Sequence, residues 1–130
     1  MTILGLKWKG GRFAHPFDIV DVPHRGGVFK LHSRQPDGSW EVFYVGQASN
    51  LYSTLLAYVG NIVEGDAAAA GISPCAKARV AAGEAAYSYA EVPDETERAG
   101  CLRSLYEYFA PPCNDPQQLP PVQGIGCNPF

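Results

Sequence analysis

Apolar and polar residues alternate along Val28–Ser33, with Val28, Lys30 and His32 set against Phe29, Leu31 and Ser33, the period of a half-buried strand. Gln35–Trp40 (QPDGSW) carries turn chemistry and Glu41–Gln47 (EVFYVGQ) is a second β-rich run, so the pair predicts a hairpin. The period then lengthens. Leu51, Leu55 and Tyr58, with Leu56 and Val59 beside them, follow a 3.6-residue repeat behind Ser49 or Asn50 as N-cap, which predicts a helix ending near Gly60–Asn61. Val63–Ile72 is small and weakly patterned. Ser73 followed by Pro74 reads as an N-cap with proline at the first helical position, opening a short helix through Arg79–Ala82. Ala85–Val92 (AAYSYAEV) predicts a third strand. Asp94 opens the clearest helix: Glu95 and Glu97 suit its N-terminus, Leu102, Leu105, Tyr106 and Phe109 form an apolar stripe, and Pro111–Pro112 ends it.

The flanks are less regular. Arg12–Gly27 mixes apolar residues with Pro16, Pro23 and a glycine pair, predicting an extended lead-in with an edge strand at Phe17–Val20. The C-terminal stretch is rich in Pro, Gly and Gln and reads as irregular chain packed on the domain or trailing from it. The order β-β-α-α-β-α implies an α+β architecture, a small three-stranded antiparallel sheet flanked by helices. Residues 1–26 are then a lead-in, 27–114 the domain and 115–130 the tail.

A chain of 130 residues with 46% hydrophobic and 18% charged residues suits one folded domain and excludes wholesale disorder. It has no continuous apolar run long enough for a membrane helix and no leader-like segment, so a cytoplasmic protein without membrane contact is expected. Cys75, Cys101, Cys113 and Cys127 lack the close pairing of zinc sites and read as unbonded thiols, and His15, His24 and His32 are scattered. No metal ligand set is expected. A net charge of −3 argues against tight nonspecific nucleic-acid binding. Yet residues 1–34 hold six cations against two acids, and the rest of the chain four against eleven. Arg12, Arg25 and Lys30 are therefore candidates for weak nucleic-acid contact, the alternative being a solvated basic arm.

Three ordered segments resemble the GIY-YIG nuclease family. Gly27–Phe29 (GVF) stands in the place of Gly-Ile/Val-Tyr, and Tyr44–Gly46 (YVG), continued by Gln47–Leu51 (QASNL), matches Tyr-Ile/Val-Gly. The late helix and its sequel, Leu102–Asn114, end in Pro111-x-x-Asn114 as family members do. The resemblance covers Gly27–Asn114 and implies a GIY-YIG-like fold. It also implies a site in which the motif tyrosines attend a nucleophilic water, an arginine holds the phosphate and a glutamate binds a divalent metal.

Carried over position by position, the first tyrosine falls on Phe29, the second on Tyr44, the arginine on Thr54 and the glutamate on Leu102. Phenylalanine has no hydroxyl, threonine no guanidinium fork and leucine no metal-binding oxygen. Glu95 and Arg98 lie on roughly the face of Leu102, one or two turns away, and read as a solvated pair rather than as replacements. The retained residues also have plain structural readings: Gly27 and Gly46 as strand and turn geometry, Tyr44 as a half-buried aromatic, Asn114 as a helix cap. The resemblance thus implies an inactive nuclease-like domain acting as a binding or interaction module, with no cofactor. The alternative is a divergent DNA endonuclease using Mg. The expected partner is a protein, favoured by Tyr52, Tyr87, Tyr89, Tyr106 and Tyr108 and by the Pro-rich tail, or a weakly held nucleic acid.

Overall fold

The computed structural model describes residues 2–60 and 72–130. In chain order it contains β1 (Thr2–Leu4), β2 (Lys9–Arg12), β3 (Gly27–Arg34), β4 (Trp40–Ala48), α1 (Leu51–Val59), α2 (Pro74–Ala81), β5 (Ala85–Glu91), α3 (Glu95–Phe109) and β6 (Ile125–Cys127). The fold is α+β. Strands β2-β5-β3-β4 form an antiparallel sheet in that order, and β1 pairs with β6 in parallel. The hairpin, the third strand and the three helices stand where the periodicity predicts them; the stretch 61–71 lies outside the described residues.

Local chemistry explains the helix starts. Asn50 accepts the Ser53 amide at 3.0 Å, Ser73 Oγ the Ala76 amide at 3.2 Å and Asp94 the Glu97 amide at 2.9 Å, each relieving one unpaired donor of a helix N-terminus. Helix α3 stops at Ala110, in the left-handed region at φ 45°, directly before Pro111 and Pro112.

The sheet has helices on both sides. Phe29, Leu31 and Phe43 face α1 and α2 with Leu51, Leu55, Tyr58, Ala76 and Val80. Val28, Val45 and Ala90 face α3 with Cys101, Leu102 and Leu105. A bulge opposite Leu31 and His32 interrupts the β3–β4 register, so Phe43 and Tyr44 both turn to the α1 side.

Several expectations are corrected. The sheet has four strands rather than three, because the glycine-rich Lys9–Arg12 pairs with β5. A Cβ at Gly10 would collide with the Tyr87 carbonyl, so glycine permits this approach although no hydrophobic period marks it. Phe17–Val20 is not an edge strand: Pro16–Ile19 is a 3-10 turn capped by His15 and Asp18, whose carboxylate accepts the Ala14 and His15 amides at 3.0 and 2.9 Å. The lead-in is no mere arm, since Phe13, Ile19 and Val22 are core residues. The tail is tied down through β6 and through Asn128, whose amide pairs with both backbone groups of Leu6. The thiols are not all unbonded either, because Cys75 and Cys113 form a disulfide while Cys101 and Cys127 are buried and free. No helix among the described residues is long and apolar enough to cross a membrane.

Candidate functional site

The two short motifs lie side by side on β3 and β4, with Phe29 opposite Gly46 and Gly27 opposite Ala48. A side chain on Gly46 would enter the Phe29 ring, and one on Gly27 would meet the Ala90 carbonyl and come within 2.6 Å of the Leu51 methyl. Both glycines therefore serve close packing. Phe29, Tyr44 and Tyr58 form a triangle of rings with centroids 5.9–6.1 Å apart. Tyr58 Oη accepts the Ser73 amide at 3.1 Å and so ties the end of α1 to the start of α2. Burial, reinforced by the neighbouring Tyr44 phenol, pushes the Tyr58 hydroxyl well above its ordinary pKa, which makes it a poor proton donor to solvent and no base at neutral pH.

Beside this triangle a groove of about 510 Å³ runs along the outer edge of β4. Tyr44 and Gly46 form one side, Ser73 and Cys75 another, and Leu102 closes it from α3. The segment after α3 completes the wall. Its Cys113 amide donates to the Phe43 carbonyl at 2.9 Å, and the Asn114 side chain both accepts the Val45 amide at 2.9 Å and donates to the Val45 carbonyl at 2.8 Å. Asn114 is thus a clip between the closing Pro-x-x-Asn and the middle of the YVG motif, not a cap of its own helix. The Cys75–Cys113 bridge fastens the same segment to α2.

The carried-over positions fall unevenly around the groove. Tyr44 and Leu102 line it; Phe29 sits behind Tyr44, 1% exposed, and Leu102 is 8% exposed in the core layer on the other side of the sheet. Thr54 is not among the lining residues and lies one helical turn before Tyr58. Among the described residues the acid on the rim is Asp115, whose carboxylate accepts the Gln117 amide at 2.9 Å. The groove thus offers a phenol, amides and an apolar wall, a set suited to holding a ligand.

The proposed cations separate. Lys30 is 3% exposed, against the expectation of a surface contact. Its ammonium hydrogen-bonds the Pro129 carbonyl and lies 4.1 Å from the Trp8 ring centroid, with Phe109 and Phe130 also beside it. Burial lowers its pKa to about 8. Arg25 is exposed and pairs with Glu91 at 3.5 Å, and Arg12 is exposed at the end of β2. Arg98 packs over Gly26 while Glu95 stands exposed. Tyr87 and Tyr89 are buried and stacked on one another, so they do not belong to a tyrosine-rich surface.

Tyr58, Cys75 and Cys113 were not singled out for this site by sequence. Tyr58 reads as one more member of an apolar stripe, and the cysteine spacing says nothing about which thiols meet. No protein-family model and no curated protein matches this chain.

Proposed function

We propose that this domain is a GIY-YIG-like scaffold that binds a partner and does not cleave phosphodiesters. The observation that carries the reading is Leu102: an apolar side chain walls the groove beside Tyr44 at the position where the resembled family places its metal-binding glutamate. Thr54 in place of the arginine and Phe29 in place of the first tyrosine support it. Loss of one oriented charge stabiliser costs about 10²–10³ in rate, so losing both the cation and the carboxylate leaves negligible cleavage.

The purified protein is expected to leave supercoiled plasmid intact at low salt with Mg²⁺ present. Nicking that co-purifies with the chain and stops on chelation would overturn this reading in favour of a divergent metal-dependent endonuclease. Binding at the groove has its own measure: Tyr44→Ala is expected to weaken capture of a partner by the full chain without lowering thermal stability by more than about 1–2 kcal/mol.

A further inference from the structure

Helix α3 covers only part of its sheet face. Directly paired residues share a face, so Gly10, Arg12, His32, Ala86 and Ser88 lie on the same side as Val28 and Ala90, and Arg34, two residues beyond His32, joins them opposite Trp40. The α3 helix packs at the Val28–Ala90 end. At the other end the face opens into a groove of about 820 Å³, within the range of small-molecule sites.

The floor of this groove is low because Gly10, Ala86 and Ser88 are small. Trp8 and Trp40 both line it, and they are the two tryptophans of the chain. Trp8 is held in place by its indole N–H, which donates to the Asn128 carbonyl at 2.9 Å, whereas Trp40 is 53% exposed. His32 lies 3.0 Å from Ser88 Oγ. Burial and the nearby Lys30 charge hold the His32 pKa near 4, so at neutral pH it supplies a neutral ring with both donor and acceptor capacity. Among the described residues, Lys30 is a buried cation on this face, bonded to the Pro129 carbonyl, and Arg12 and Arg34 are its exposed cations along the groove, with Glu84 an acid there; Lys9 belongs to the edge strand but pairs with Tyr89 on the opposite face. A chain of net charge −3 thus places two guanidinium groups along a groove whose exposed indole, Trp40, is paired opposite Arg34.

We infer that this groove binds a nucleoside phosphate, its base against the exposed Trp40 ring, its phosphate between Arg12 and Arg34. Each part answers one component of the ligand. An indole face suits a planar heteroaromatic ring. The His32–Ser88 pair offers hydrogen bonds to its polar edge. Guanidinium forks pair phosphate oxygens two at a time. On a flat sheet Arg12 and Arg34 start about 12 Å apart, separated by β5, close enough for two long side chains to converge on one anionic group. Among the described residues the site shares no lining residue with the Tyr44 groove, so it stands or falls apart from the question of cleavage.

Because both tryptophans line the groove, intrinsic fluorescence reports its occupancy. Titration of the full chain with adenosine monophosphate at low salt is expected to give saturable quenching, with adenosine alone and inorganic phosphate alone each binding about tenfold or more weakly. Arg12→Ala and Arg34→Ala, both surface changes, are expected to cost about tenfold each in affinity with an unchanged circular dichroism spectrum. Trp40→Ala is expected to cost about fivefold or more. Absence of saturable quenching up to about 1 mM ligand, the weak end of specific recognition, would overturn the inference. So would equal binding of adenosine and its monophosphate, or arginine variants of undiminished affinity. Much tighter binding of a short oligodeoxyadenylate than of the mononucleotide would replace the free nucleotide with a strand.

Discussion

His32 shows how one residue couples the sheet to pH. It is partly buried, bonded to Ser88 and close to the Lys30 ammonium, and its pKa falls from the usual 6.5 to about 4. Between those values the unfolded chain binds a proton that the folded chain refuses, so stability rises with pH across that window and is lost as pH falls from 6.5 through 4. The linkage amounts to about 3 kcal/mol, from a shift of 6.5 to about 4. Urea midpoints at pH 7 and pH 4.5 are expected to differ in the native chain, and the difference is expected to shrink in His32→Asn. Retention of the full slope in that variant would assign it to carboxylates. The alternation of Val28–Ser33 makes the face of His32 legible in the sequence; its depressed pKa is not, because Ser88 and Lys30 meet it only through strand pairing. Lys30 is the plainer case. A lysine on an alternating strand reads as a solvent contact, and only the arrival of Trp8, Phe109 and Phe130 from three distant segments converts it into a buried cation.

Among the elements, those with a strong local signal are the legible ones: the hairpin, α1 behind Asn50, α2 behind Ser73-Pro74 and α3 behind Asp94. Elements made by partners are not. Strand β2 is two glycines between two cations, β6 is three residues in a Pro-rich stretch, and the Pro16–Ile19 turn owes its form to two side-chain caps. The disulfide belongs with these, since a sequence separation of 38 between Cys75 and Cys113 hides their adjacency. Closing a loop of that length stabilises by about 3–4 kcal/mol on the chain-entropy account. Reduction, or paired Cys75→Ser and Cys113→Ser changes, is expected to lower the denaturant midpoint by a corresponding amount; an unchanged midpoint would show that the bridge contributes nothing.

At the scale of the whole molecule, the span that resembles a family is narrower than the packed core. Residues 27–114 contain the motifs, but the layer beneath α1 also contains Phe13, Ile19 and Val22, each 3% exposed or less. Phe13 packs 5.4 Å from the Tyr87 ring, and the Tyr87 hydroxyl donates to the Asp18 carbonyl at 2.9 Å. Burying three such side chains is worth about 5–9 kcal/mol, comparable with the entire net stability of a domain. A chain trimmed to residues 27–114 is therefore expected to melt without a cooperative transition by circular dichroism while the full chain melts sharply. A sharp transition in the trimmed chain would restore the narrower boundary. Of the candidate site, the pairing of the two motifs was readable from the hairpin. Their relation to Leu102 was not, because it depends on α3 crossing to the other face of the sheet.

The clip made by Asn114 has a further consequence. Strand β4 is one of the two outer strands of its sheet, where exposed amides and carbonyls would invite pairing by another chain. Cys113 occupies the Phe43 carbonyl and Asn114 both backbone groups of Val45. At those positions the protein supplies an imitation of a neighbouring strand from its own sequence, and the edge has no vacancy there for aggregation to nucleate upon.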